Sequence, residues 1–410
     1  MSTSEHPIWR LWQRLERGEA LVAGVLSGTS ADGIDVALLC FGVAGTPRPL
    51  AFATRPFPTI LAEKLRAALD GGALDARGVA FLNRDLGRAF GSAARALADE
   101  HGLVLDLVGS HGQTVYHHDG NEAAGAASLQ LGDGDFVAQA SGALTVSDFR
   151  AADIAAGGEG APISATLEAE LFPAVPRPVA VLNLGGFANV TYLAEGCPPV
   201  AFDIGPANAL LDGLARALLA RPFDEGGRAA AHGRVDQALL AELLSHPFYD
   251  RRPPKSTGRD TFGASFASSV LARARARNLD ALDTLATATA LVAASVAEAL
   301  ARWLPGRPLE LVLCGGGTHN ATLARELADR TGLLTRSSAV HGLTPEARES
   351  TFFAHLAVRC ILARPTTEPS VTGARCGGIL GKISYPPSSV PSSQAFDSPG
   401  LARSHGANPG

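Results

Sequence analysis

GVLSGTSADGIDVALL, Gly24 to Leu39, sets an apolar run, then a cluster of tiny and acidic residues, then a second apolar run. Two strand-like segments joined in this way predict a β-hairpin. Gly28 and Gly33 permit tight-turn angles and close approach to a ligand. Thr29 and Ser30 set hydroxyls beside consecutive backbone N–H groups, a loop able to cradle phosphate oxygens, with Ala31 and Ile34 completing it. Asp32 and Asp35 would repel a phosphate directly, so this reading needs a divalent cation between them; Mg2+ suits carboxylate, water and phosphate oxygens, with Asp32 its candidate ligand. The competing reading is an ordinary hairpin whose Asp-Gly makes the turn.

The chain outside this hairpin is large enough to need more than one core. Single cores stop growing near about 250–300 residues, and 410 residues that are 46% hydrophobic predict two lobes. A formal net charge of −5 argues against a nucleic-acid groove or an anionic membrane surface. Five scattered cysteines (40, 197, 314, 360 and 376) form no CxxC pair and no secreted disulfide pattern, which predicts a cytoplasmic protein. The N-terminal segment has no signal-peptide pattern; Ile8, Leu11, Trp12 and Leu15 recur at helical spacing and predict a short amphipathic helix. The apolar runs read as too short and too interrupted to span a bilayer.

Strand patterns alternate with helical ones. A hairpin-led sheet is predicted over 21–56, with helices over 60–69 and 79–101, and a buried strand over 103–108 ending in SHGQTVYHH, where open α/β sheets place ligand groups. A second strand–glycine turn–strand unit, VAVLNLGGFANVTYL, opens at Val179, followed by strand AFDI and helices at 209–219, 234–245, 263–277 and 284–304. A strand–glycine turn–helix follows from 309, then a helix near 349–362 and a short strand near 379–383. This grammar predicts an α/β fold of two lobes with a cleft between them. The expected division is lobe I over 1–150, completed by 363–385, lobe II over 151–362, and a disordered tail over 386–410, which is poor in apolar residues.

Several polar stretches follow apolar strands. His111 leads SHGQTVYHH; metal binding by His111, His117 and His118 lacks a carboxylate partner at helical spacing. In SDFRAADIAAGGEGAP, Arg150 suits a bidentate contact to an anionic substrate group, or a buried pair with Asp148 or Asp153. Asp203 in AFDIGPANALLD is placed to act as general base, or to cap the helix after it, whose positive end would favour a phosphate. NLGGFANV and CGGGTHNATL fit neither the GxGxxG fingerprint nor the GxxxxGK[ST] loop. PPKSTGRD places Lys255 and Arg259 in a loop that reads by default as a solvated basic turn.

Together and in order, GVLSGTSADGID, SHGQTVYH, SDFRAADIAAGGEGAP, NLGGFANVTYL, FDIGPANALLD, PPKSTGRD, CGGGTHNATL and ESTFFAHLA with VTGA resemble the anhydro-N-acetylmuramic acid kinase family over about residues 21–383. The resemblance implies the two-lobed fold shared by actin, sugar kinases and heat-shock ATPases. It implies ATP with Mg2+, a small anhydrosugar substrate, a homodimer, and a role in peptidoglycan recycling with no nucleic-acid or membrane partner. Carried over by position, Gly28 to Asp35 match the phosphate-binding loop and Asp203 the catalytic aspartate. Gly185 and Gly186, with Gly315, Gly316, Gly317 and Asn320, border the nucleotide; Arg150, Glu349, Asp148 and His111 are sugar-side candidates. The chain departs from the family pattern at Leu26, at Ala207 where a glycine is usual, and at Glu159 where a glutamine is usual. The alternatives are a kinase for another anhydrosugar such as levoglucosan, tested by turnover of each sugar, and a non-kinase ATPase or binding module, tested by whether ATP consumption depends on sugar.

Overall fold

The structure is a computed structural model that describes residues 6–28, 31, 33–43, 47–69, 72, 74–120, 125–163, 165–367 and 369–387. Thr29, Ser30 and Asp32 of the hairpin loop, and the tail from 388, lie outside the described residues.

Twelve strands form two sheets among the described residues. In the first, β1 (Ala20–Leu26), β2 (Ile34–Phe41) and β3 (Arg48–Arg55) make an antiparallel meander, extended on the β1 side by parallel β4 (Leu107–Asp119) and β6 (Leu144–Ser147). Strand β5 (Ala126–Leu131) pairs with the far end of β4, and β12 (Lys382–Ser384) closes the edge beside β6. In the second sheet, β7 (Val179–Leu184), β8 (Phe187–Leu193) and β9 (Val200–Pro206) repeat the meander, and parallel β10 (Glu310–Cys314) and β11 (Leu334–Ser337) extend it beside β7. All residues of β1 and β7 are buried, as expected for central strands covered on both faces. The two-lobed α/β expectation is met in this pair of mixed sheets flanked by helices.

Helix Ala347–Ile361 packs on β1, β2 and β4, although its position in the chain falls in the stretch assigned to the second half. One continuous apolar cluster runs from Val22 and Leu39 through Phe353 and Leu356 of this helix to Val181 and Val312 of the second sheet. Two glycines let its backbone lie directly on the sheet. A Cβ on Gly24 would stand 1.6 Å from the Ser350 carbonyl oxygen, and one on Gly109 would stand 2.0 Å from that of Phe353. The glycine that opens the first quoted stretch therefore serves helix packing.

Two expectations are corrected here. The buried strand expected over 103–108 instead spans Leu107–Asp119: β4 continues through SHGQTVYHH, kinked where Gly112 takes φ +78° and the register to β1 shifts. Helix Ala281–Trp303 is long and apolar enough, by length and composition, to cross a membrane, contrary to the reading of the apolar runs. Most of it is buried against the second sheet's helices, because a helix apolar on all sides can also serve as a core element. The N-terminal helix forms over Pro7–Arg17, with Leu11 and Leu15 buried and Trp9 exposed.

Candidate active site

Asp203 lies on β9 at the edge of the second sheet, opposite Asn189 of β8. The PPKSTGRD segment is laid along that edge. The Asp203 backbone N–H donates to the Lys255 carbonyl at 3.0 Å, and the Thr257 N–H donates to Asp203 Oδ2 at 2.8 Å. Asp203 does not cap the following helix. Helix Asn208–Leu219 starts from Ala207 without a side-chain cap, and the glycine turn between β7 and β8 supplies its acceptors: Gly186 O takes the N–H groups of Ala207 and Ala209, and Gly185 O takes that of Asn208. Those amides are thereby occupied, so this helix end is not an open phosphate site.

Across from Asp203, β4 and the helix after β6 contribute His111 and Arg150. Arg150 Nε donates to His111 Nε2 at 3.0 Å, and Arg150 Nη1 donates to Gly160 O at 2.7 Å. The imidazole stacks on Phe353 with ring centroids 4.5 Å apart, and its Nδ1 lies 3.2 Å from Gly112 O. With Nε2 accepting, the proton resides on Nδ1. Burial first, and the Arg150 charge second, push His111 well below its ordinary value of 6.5, so the ring is neutral at pH 7. Burial also lowers Arg150, opposed by the carboxylates of Glu349, Asp203 and Asp153. The guanidinium is therefore the positive centre of an acidic cluster drawn from three parts of the chain.

Two of the five Arg150 N–H groups, that on Nε and one on Nη1, are committed to the protein, which leaves the Nη2 side of the guanidinium for a ligand. Neither expected acidic neighbour pairs with it. Asp148 sits at φ +55° and binds Lys382 of β12. Asp153, fully buried, accepts from Gly160 N at 2.8 Å and Thr372 Oγ1 at 2.7 Å, holding the loop to which Arg150 bonds. On the same loop, Glu159 Oε2 accepts from Ser256 Oγ at 3.2 Å and ties this segment to PPKSTGRD.

The glycine turns of the second half meet at one edge. Strands β7 and β10 are parallel neighbours, with Asn183 opposite Cys314, so the turns after them lie side by side. Gly315 needs its φ of +78°, and a Cβ there would clash with Asn183 Oδ1 and Leu184 O. Asn183 Nδ2 donates to Glu349 Oε1 at 2.9 Å, which brings the C-terminal helix's carboxylate to this edge. Gly316 comes near Asn208, whose Nδ2 donates to Leu184 O at 2.9 Å. Asn320 is an N-cap: its Oδ1 accepts from Leu323 N at 2.9 Å, an orthodox structural use of that side chain.

The first hairpin is described in part. Gln113 Nε2 donates to Gly28 O at 3.2 Å, tying the loop's base to the strand that carries His111, and Ala31 takes the left-handed φ of +51°. Ile34 is buried in the core, and Asp35 accepts from Thr54 Oγ1 at 2.6 Å, so these two support the turn. Among the described residues no group of three His, Cys, Asp or Glu side chains could hold a metal ion. His117 Nδ1 instead lies 3.3 Å from Ser128 Oγ, and His118 Nδ1 accepts from Gly120 N at 3.1 Å. A cleft of about 610 Å3 between the helices over 59–69 and 76–100 carries none of the motif residues.

Sequence reasoning passed over Thr257 and Asn183 as individual contributors, and misread Lys255. The lysine is 1% exposed, not solvated. Its signal was present in the two prolines before it, which shorten the loop's freedom, but nothing local shows what covers the side chain.

The sequence has clear relatives among known proteins. The family model for anhydro-N-acetylmuramic acid kinase matches residues 20–386. An anhydro-N-acetylmuramic acid kinase from Salinibacter ruber is 41% identical over 386 residues, covering 90% of this chain and 97% of the relative. One from Xanthomonas oryzae pv. oryzae is 42% identical over 379 residues, covering 89% and 97%. Among solved structures, the activator of the 2-hydroxyisocaproyl-CoA dehydratase from Clostridium difficile with bound ADPNP aligns with a TM-score of 0.41 at 13% identity, covering 83% of this chain and 96% of that one. A family match over residues 20–386, with relatives identical at about two residues in five, places this chain in the anhydro-N-acetylmuramic acid kinase family.

Proposed function

We propose that Asp203 is the general base of an ATP-dependent kinase that opens 1,6-anhydro-N-acetylmuramic acid and phosphorylates its 6-oxygen in cell-wall recycling. The observation that carries this reading is the carboxylate of Asp203, gripped by the Thr257 amide at 2.8 Å and sharing the field of Arg150 with Glu349.

In this reading a water molecule gives a proton to Asp203 as its oxygen attacks the anomeric carbon. The bond from that carbon to the bridging oxygen breaks, and the electron pair stays on the oxygen. That oxygen attacks the terminal phosphorus of ATP, ADP departs, and the product is N-acetylmuramic acid 6-phosphate. Asp203 then returns its proton to solvent. Arg150 Nη2 meets an anionic group of the sugar, and Glu349, held by Asn183, contacts the sugar's hydroxyls. Gly28 to Gly33 and the turns at Gly185–Gly186 and Gly315–Gly317 let the backbone approach the nucleotide closely. Mg2+ would supply charge neutralisation on the transferring group. Asp32, the expected protein ligand for it, lies outside the described residues. Five unpaired cysteines support a reducing, cytoplasmic site of action.

The test is the sugar dependence of ADP release. Release that requires the anhydro-muramyl sugar, with little from levoglucosan, is the expected result; equal release with and without sugar contradicts the kinase reading.

A further inference from the structure

Lys255 is a buried ammonium with an unusual set of neighbours. Its Nζ lies 3.3 Å from Phe248 O and 3.5 Å from Tyr249 O, at the carbonyl end of helix Pro247–Asp250, and 4.6 Å from the centroid of the Phe248 ring. No carboxylate among the described residues pairs with it within 4 Å. Burying a lone cation carries a desolvation penalty that an apolar side chain would avoid. The same residue's carbonyl accepts the Asp203 N–H, and two residues on, the Thr257 N–H reaches the Asp203 carboxylate.

We propose that Lys255 is a positioning residue for the reaction: its ammonium fastens the 255–257 backbone to the helix at 247–250, and so holds the Thr257 amide on Asp203 and keeps that carboxylate aimed and ionised. The charges facing it are Arg251 and Asp250 at the end of that helix, Arg302 of the long core helix, and Asp203 itself. Arg302 is paired to Asp250 at 2.5 Å. Burial, with Arg251 and Arg302, brings Lys255 down to about 8, against the pull of Asp203 and Asp250. Above that pH the ammonium loses its proton, and with it the hold on the two carbonyls.

This inference rests on Asp203 as the base, and the two are tested separately. The full chain is assayed with ATP and the anhydro-muramyl sugar as Lys255→Met, which keeps the bulk without the charge, and as Lys255→Arg, which keeps the charge. Lys255→Met is expected to lose about 10²-fold in kcat, as for a group that misplaces the chemistry from outside it, with KM for ATP nearly unchanged. The acid limb of its pH profile should also move up by about half a unit to one unit, because a nearby cation favours the carboxylate form. Lys255→Arg should restore much of the rate. A Lys255→Met enzyme within twofold of the unsubstituted rate, or one whose acid limb stays in place, overturns the proposal. If Lys255→Met does not fold, the unsubstituted enzyme decides: a fall in kcat near pH 8 supports the role, and a profile flat to pH 10 overturns it. An active Asp203→Asn enzyme would instead overturn the base assignment, whatever Lys255 does.

Discussion

The two sheets share one strand order, β3-β2-β1-β4-β6 and β9-β8-β7-β10-β11, each an antiparallel meander followed by two parallel strands. They differ at the third strand. No residue of β3 is fully buried, whereas β9 has five of its seven residues buried and carries the 255–257 segment along its edge. They differ also at the first turn. The β1–β2 turn holds hydroxyls and carboxylates, while the β7–β8 turn holds two glycines whose carbonyls complete a helix. A repeated scaffold thus becomes asymmetric through what is laid over its edges, and Asp203, the proposed base, lies where an extra segment covers one copy and not the other.

The largest effect expected from breaking this asymmetry is at the covered edge. Asp203→Asn should lower kcat by about 10³–10⁴-fold, the scale of a lost general base, while leaving the melting temperature and ATP binding close to those of the unsubstituted chain. Steady-state kinetics beside calorimetry decides it.

Next are two glycines in the two halves, Gly24 inside β1 and Gly185 in the turn after β7. Gly24→Ala pushes a Cβ into the backbone of helix Ala347–Ile361 and should destabilise by about 3 kcal/mol, read in denaturant unfolding. Gly185→Ala meets its nearest atoms only at 3.6 and 3.7 Å and should leave stability within about 1 kcal/mol, while raising KM for ATP if the turn faces the nucleotide. Equal costs at the two positions would erase the distinction between a packing glycine and a binding glycine.

Arg150→Lys should reduce kcat/KM for the sugar by about 10–100-fold, because an ammonium cannot bond His111 and Gly160 while reaching a ligand. The smallest effect concerns His111. Its folded value lies below 6.5, so as pH falls beneath 6.5 the unfolded chain takes up the proton first and the native state loses stability. His111→Asn should flatten that acid-side loss in melting curves taken between pH 7 and 5, and an unchanged slope would contradict the neutral, Arg150-bonded imidazole.

How far the sequence carried this account depended on the range of the interaction. Both meanders, the helices at 59–69, 76–100 and 264–276, and Asp203 on a strand were legible because hydrophobic period and glycine punctuation are local signals. The eight ordered motifs identified the family. What the sequence hid was distant in the chain. Nothing near Gly24 says that Ser350 will lie on it, nothing near Asn183 says that Glu349 will bond it, and Lys255 looks solvated until the helix at 247–250 folds over it. The strand expected over 103–108 was ended too early because polar side chains on a buried strand interrupt the apolar signal when their partners, here Gly28 and Arg150, come from elsewhere.

The central claim is that one carboxylate directs water to the anomeric carbon while the freed bridge oxygen takes the phosphoryl group. Mass spectrometry of the product made from ATP and the anhydro-muramyl sugar in heavy-oxygen water tests it most directly. The account predicts a sugar phosphate that has gained the elements of water, with the heavy oxygen on the sugar and none in the phosphoryl group. Heavy oxygen in the phosphoryl group, or a phosphorylated sugar still holding its anhydro bridge, would contradict it.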